Sequence, residues 1–169
     1  MSLRTIAAAA LAVLLCACNP SGPDAGSEAG MPTGPQAEIN EAKRAELITL
    51  TKGYLDSASG QLAVGFLPAG IEDEVVALQP NGAHRWDVAL RAGVSYRIIG
   101  VCDNECSNLD MEVHDAGGNV VGVDVLDDDV PLVNVAPATD QTYTVRLIMK
   151  TCTVAPCYSG ARVLQAAKS

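Results

Sequence analysis

Hydrophobic and polar residues change rhythm along this chain, and each rhythm predicts a different kind of segment. An unbroken apolar run, Ile6 to Leu15, follows the single basic residue Arg4. Asn19 to Gln36 (NPSGPDAGSEAGMPTGPQ) has no apolar period at all. In the stretch Ala37 to Ala58, Leu47, Leu50 and Tyr54, flanked by Ile48 and Leu55, recur at helical spacing. Glu38, Glu41, Lys43, Arg44 and Glu46 fill the other side, acids leading and bases following, as the helix dipole favours. From Leu62 onward the period shortens to two. Trp86, Val88 and Leu90 share one face of a strand and Arg85, Asp87 and Arg91 the other. Leu109, Met111 and Val113 form a second inward row, with Asp110, Glu112 and His114 outward. Tyr143, Val145, Leu147 and Met149 form a third, with Thr144, Arg146 and Lys150 outward. Pairing Arg146 and Lys150 with Asp110 and Glu112 across neighbouring strands would contribute about 0.2–1 kcal/mol per pair.

The segments Glu74 to Gln79, His84 to Arg91, Val94 to Val101, Leu109 to Val113, Asn119 to Leu126, Pro131 to Ala136, Tyr143 to Thr151 and Tyr158 to Ala166 make about eight strands. Turn signals such as Pro80-Asn81-Gly82 and Ala92-Gly93 separate them. The fold class is therefore all-β: an antiparallel β-sandwich over residues 62–166, preceded by an amphipathic helix at 37–58 and a disordered tether at 19–36. Periodicity alone leaves the strand order open. Six aromatic residues in a 169-residue chain mean that the core must be filled mainly by Val, Leu, Ile and Ala. The helix either docks on the sandwich or binds a partner.

Composition narrows the function classes. A net charge of −9 excludes nucleic acid as a partner, since binding there depends on neutralising phosphates with Lys and Arg. It also removes an electrostatic grip on anionic lipid, so membrane attachment needs another cause. Residues 1–18 supply one. Their basic start, short apolar run and small residues before a cysteine have the anatomy of a secretory signal. The run is too short to span a bilayer, which takes about 20 apolar residues. Its end, Leu15-Cys16-Ala17-Cys18, resembles the bacterial lipobox. That resemblance implies diacylglyceryl transfer to Cys18, cleavage before it and a firm multi-chain anchor; the alternative is an ordinary signal peptide cut near Ala17. Asn19 is not the Asp that retains enteric-type lipoproteins at the inner membrane, so the expected place is the outer membrane, on its periplasmic or surface face. The tether cannot bury enough apolar area to offset its ordering and would reach roughly 25 Å as a random coil.

Beyond the leader lie Cys102, Cys106, Cys152 and Cys157. In an exported protein these form disulfides. Their spacings favour the local pairs Cys102–Cys106 and Cys152–Cys157, each clipping a turn beyond a strand. If the two turns are neighbours, crossed pairings stay open, and a four-cysteine zinc site is a further alternative.

The run from Asn108 to Met149 resembles the bacterial pre-peptidase C-terminal domain. The resemblance rests on Leu109-Asp110-Met111-Glu112, on His114-Asp115-Ala116-Gly117-Gly118-Asn119, on the acidic turn Asp127-Asp128-Asp129 and on Gln141-Thr142-Tyr143-Thr144-Val145-Arg146. With the Trp86 to Val101 hairpin it covers roughly residues 74–166. It implies a jelly-roll-like sandwich appended to secreted proteases and other exported proteins. The chain departs from that family in carrying both cysteine turns and no protease domain.

The candidate chemistry is sparse. No Gly-x-Ser-x-Gly elbow and no His-Glu-x-x-His helix is present, and the two histidines, His84 and His114, lack a recognisable nucleophile. Calcium is the metal that the acidic turns would suit, with oxygen ligands from Asp103, Asn104 and Glu105 in one loop and Asp124, Asp127, Asp128 and Asp129 in another. The competing reading is that these are turn formers and edge protectors. The sequence thus predicts a non-enzymatic cell-envelope lipoprotein, its sandwich an interaction or structural module for an envelope protein or polysaccharide. A calcium-dependent binding module is the alternative, and a hydrolase accessory or enzyme the lesser one.

Overall fold

A computed structural model describes residues 26–30, 32 and 34–168 of the chain. The leader with its lipidation candidate Cys18, and residues 19–25 of the expected tether, lie outside the described residues.

Ten strands and one helix are described: β1 (Ser27–Glu28), α1 (Glu41–Leu62), β2 (Phe66–Pro68), β3 (Glu74–Leu78), β4 (Ala83–Leu90), β5 (Tyr96–Cys102), β6 (Cys106–His114), β7 (Val120–Asp124), β8 (Leu132–Val135), β9 (Gln141–Cys152) and β10 (Cys157–Ala166). They form two antiparallel sheets. One has the order β1-β4-β9-β6-β7; in the other, β2 and β3 lie end to end along β10, followed by β5 and β8. From β3 to β10 every connection crosses between the sheets except the β6–β7 hairpin. That alternation is the jelly-roll arrangement, in which neighbours in a sheet are distant in sequence. The eight predicted segments are these eight strands. The sequence reading did not name β1 or β2.

The inward rows are as the period-two pattern predicts. Val88, Leu90, Leu109, Met111, Val113, Val145, Leu147 and Met149 are all at most 2% exposed and fill the space between the sheets. The two sheets differ on their outer faces. Strands β4, β6 and β9 turn polar residues outward, whereas β5 (YRIIGVC) is apolar almost throughout and is buried on both faces. Such a continuous apolar strand requires a second cover. Helix α1 provides it, closing a smaller core of Leu55, Ala58, Ala63, Ile99, Val101 and Leu164.

The helix begins at a sequence-legible cap, where Asn40 Oδ1 accepts the Lys43 N–H at 2.9 Å. It docks through Thr51, Leu55 and Ala58, with Leu47, Ile48, Leu50 and Tyr54 half-buried beside them. Its contact with β10 is close because Gly160 lacks a side chain: a Cβ there would stand 2.8 Å from Thr51 Cγ2 and 3.2 Å from Leu55 Cδ1. The structure places the helix four residues later at each end than the expected 37–58, starting after the Asn40 cap and running through Gly60 to Leu62. Ala63 drops into the second core, and Arg97 donates to the Leu62 carbonyl while lying over the Phe66 ring, so tertiary contacts override the glycine. Arg162 of β10 ties the helix down further, contacting Asp56 at 2.7 Å and forking onto Asp73 at 2.8 and 2.6 Å.

Part of the expected tether is ordered against the sandwich. Ser27 and Glu28 pair with His84 and Ala83 on the β4 edge, Gly26 O accepts the Arg85 N–H, and Gln36 bridges to Ala155. The physical reason lies on the outer face of the first sheet. Arg85 and Arg146 are direct cross-strand partners, a like-charge pair that is unfavourable alone. Glu28 lies between them, 2.6 Å from each, and Glu112 contacts Arg146 from the other side at 3.1 Å. Composition favours a free chain here, and one carboxylate opposes it.

Candidate functional site

The turn Cys102-Asp103-Asn104-Glu105-Cys106 connects β5 to β6 across the sheets. Asp103 organises it. Its carbonyl accepts the Cys106 N–H at 3.1 Å and its Oδ1 accepts the Glu105 N–H at 3.3 Å, while the Cys102–Cys106 disulfide closes the turn with Cα atoms 5.9 Å apart. Asp103 also joins the turn to β10. Its N–H donates to Tyr158 O at 2.9 Å, and its Oδ2 accepts the Tyr158 N–H at 2.8 Å. Burial pushes its carboxyl above the ordinary range, against the lowering effect of those two backbone donors.

The second clip, Cys152–Cys157, also has Cα atoms 5.9 Å apart. Cys106 and Cys152 face each other in the β6–β9 ladder, so the two bridges stand side by side at one end of the sandwich. Thr153 seals the junction, its N–H donating to Glu105 O at 2.7 Å and its hydroxyl lying 2.8 Å from Glu105 Oε2. The turns are neighbours, yet both pairings are local.

A groove of about 470 Å³ opens between the first clip, the C-terminal half of α1 and the turn at Asp129 and Val130. Ala58, Leu62, Val101 and the Cys102–Cys106 bridge supply its apolar wall. Tyr54 spans one rim, its hydroxyl donating to Asn104 Oδ1 at 2.6 Å, and Ser57, Gln61 and Asp129 are the other polar groups. Such a lining suits an apolar body carrying a cationic or hydrogen-bond-donating end. The Asp103 carboxylate and the Tyr54 hydroxyl are already committed within the protein, so they shape the groove.

The calcium candidates are placed as two separate turns whose oxygens are largely engaged. Asp103, Asn104 and Glu105 serve as described. Asp124 accepts the Leu126 N–H at 3.2 Å and the Leu132 N–H at 2.9 Å; Asp127 accepts from Asn108 Nδ2 at 2.8 Å; Asp128 Oδ1 accepts the Val130 N–H at 3.0 Å. Asp129 lines the groove. Among the described residues no three of His, Cys, Asp and Glu converge in a group fit to hold a metal ion.

The predicted ion pairs form: Arg146 meets Glu112 at 3.1 Å and Lys150 meets Asp110 at 3.7 Å. Asp110 is nevertheless nearly covered, and burial raises its carboxyl above the usual range. Glu112 is shifted the other way: desolvation opposes ionisation, but hydrogen bonds from Arg146 and His114 outweigh it. His114, expected on open surface, is half-buried with Nε2 3.1 Å from Glu112. His84 continues the inward row of β4, stacking on Trp86 with centroids 5.9 Å apart and Nε2 2.8 Å from Glu74. Trp86, Tyr96, Tyr143 and Tyr158 are buried, and Tyr54 is the aromatic residue at the groove. Sequence reasoning missed the roles of Tyr54 and Asn104. Their contact spans fifty positions, and no local pattern signals it.

Fold and site together define a disulfide-clipped jelly-roll module with a helix laid over one sheet. No family model and no curated protein matches the chain. Among solved structures it is similar to a Clostridium thermocellum endo-1,4-β-D-xylanase 10B, CBM22-1 and GH10 modules complexed with xylohexaose, at 12% identity and a TM-score of 0.29. It is also similar to an arabinose-bound α-L-arabinofuranosidase at 8% identity and a TM-score of 0.28. These matches cover 62% and 60% of the chain but only 26% and 23% of the respective structures, and likenesses this weak carry no assignment of activity.

Proposed function

We propose that this chain is a lipid-anchored module of a bacterial cell envelope that works by contact and not by catalysis. In this reading the leader 1–18 exports it, Cys18 carries the acyl chains, and the sandwich binds an envelope protein or polysaccharide. The observation that carries the reading is the pair of adjacent disulfides, which belong to an oxidising compartment and hold one wall of the groove rigid. The jelly-roll order of the strands is the fold that the pre-peptidase C-terminal resemblance implies, and it supports placing residues 74–166 beside that family. The contact surface is the groove between α1 and the first clip.

Lipid labelling of cells expressing the full chain tests the anchor. Wild type takes up labelled fatty acid and fractionates with membranes, and Cys18→Ala does neither. A cytosolic chain with four reactive thiols would overturn the proposal. Crosslinking in the native envelope tests the groove: Ser57→Trp, which fills it from an exposed helix position, abolishes capture of the wild-type partner while leaving the melting temperature within a few degrees.

A further inference from the structure

The two ends of the sandwich differ in charge and in exposed apolar surface. The turns at the clip end, residues 79–82, 103–105, 125–131 and 153–156, carry Asp103, Glu105, Asp127, Asp128 and Asp129 and no Lys or Arg. Those at the far end, residues 63–65, 91–95, 115–119 and 136–140 with the terminal 167–168, set Arg91 and Lys168 against Asp115 and Asp140. The far end also displays apolar side chains. Val64 is 83% exposed on the turn from α1 into β2, and Leu67, just beyond it, is 57% exposed. Gly65, at φ 85°, makes that turn, and its carbonyl accepts the Ala167 N–H at 2.9 Å, which fixes the corner that presents Val64. Beside it lies a shallow cavity of about 600 Å³, whose lining includes Leu67, Val94 and Lys168 and no acid.

We propose that the far end rests on the lipid surface that holds the acyl anchor, an inference that rests on the lipidation proposed for Cys18. Val64 and Leu67 enter the boundary between headgroups and acyl chains, with Lys168 and Arg91 at the phosphates. Chain direction and charge choose this occupant. Strand β1 runs antiparallel to β4, so the chain leading into Ser27 comes from the side where β4 finishes at Leu90, which is the far end. Gly26, bonded to the Arg85 N–H, is already a step along that course. From Arg85 to Leu90 the strand covers about 17 Å, which a chain extended from Cys18 to Gly26 exceeds. His84 of β4 reaches Glu74 of β3 at 2.8 Å, so β1 shares a flank with the β2–β3 edge, and Leu67 lies on the anchored side. The clip end would set its acids against anionic headgroups, which repel them. The far end offers bases to those phosphates and apolar side chains to the layer beneath. Seated in this way, the module keeps the groove beside the first clip clear of the lipid and open to a partner.

Fluorescence of the acylated full chain in phosphatidylethanolamine–phosphatidylglycerol vesicles tests the seating, with brominated acyl chains as the quencher of any indole that enters the lipid. The native Trp86 is buried and supplies a constant background. In Val64→Trp the added emission shifts to the blue and is quenched by the brominated lipid. Adding Leu67→Asp to that variant weakens the quenching. Val125→Trp, at a position 60% exposed beside the acidic turn of the clip end, carries the same indole and emits as in water. Labelled fatty acid is followed in the same preparation. An acylated chain whose Val64→Trp emits as in water, or whose Val125→Trp is quenched equally, overturns this inference and leaves the anchoring intact. A chain with no fatty acid on Cys18 overturns both.

Discussion

At the scale of single residues, Asp103 carries the most information. It sits in an acidic turn, the setting in which carboxylates read as calcium ligands, yet its oxygens close a backbone circuit between the first clip and β10. Asp103→Ala would leave the buried Tyr158 N–H unpaired, at a cost of about 1–3 kcal/mol measured by urea unfolding. Asp103→Asn keeps an acceptor for Tyr158 and should cost less. The pH dependence has a definite sign. Burial raises the folded carboxyl above its unfolded value near about 3.9, so protonation is relatively favoured in the fold. Its contribution is therefore full below the unfolded value and is lost as pH rises through the folded one. The stability of Asp103→Asn relative to wild type should accordingly improve from about pH 3 to pH 7. A flat difference across that range would show that the carboxyl is not shifted.

Elements show what periodicity can and cannot reveal. The inward rows of β4, β6 and β9 were legible because one face of that sheet meets a core and the other meets water. Strand β5 signalled a different situation by its unbroken apolar run, Ile98-Ile99-Gly100-Val101-Cys102, and the helix that covers it was legible from its own spacing. The closeness of that cover was not, because it depends on Gly160, a hundred residues from the helix it accommodates. Gly160→Ala would push Cβ against Thr51 and Leu55 and destabilise the fold by about 1–3 kcal/mol. Leu55→Ala, which empties a fully buried position, should cost about 2–5 kcal/mol. If chemical denaturation shows neither, the helix is not part of the cooperative unit. Strands β1 and β2 escaped the sequence reading for a simpler reason. Two and three residues are too few to display a period, and β1 depends on an arginine at the far end of the chain.

For the whole molecule, the class of fold was legible and the strand order was not. Jelly-roll neighbours such as β4 and β9, or β3 and β10, are brought together by topology, which alternation along a single strand does not encode. Nor does alternation show that the two cysteine clips share one end of the sandwich, although spacing did indicate their pairing. The clasp at the opposite edge from β7 has a mechanical consequence. The acidic range of pH should loosen it: the hydrogen bond from Arg146 is the chief cause holding the Glu28 carboxyl below its usual range, so the stability it adds is present above the unfolded value and is lost as pH falls through the folded one. Hydrogen exchange at the Arg85 amide, which donates to Gly26, should report this, with protection falling on acidification and already reduced in Glu28→Gln at neutral pH. If Cys18 carries the acyl chains proposed above, the mooring line in the clasped state would be only the eight peptide links to Gly26, at most roughly 28 Å. Under the proposed anchoring the flank bearing β1 would ride close to the bilayer, and neutralising one glutamate would pay out more line and let the sandwich swing away from the lipid.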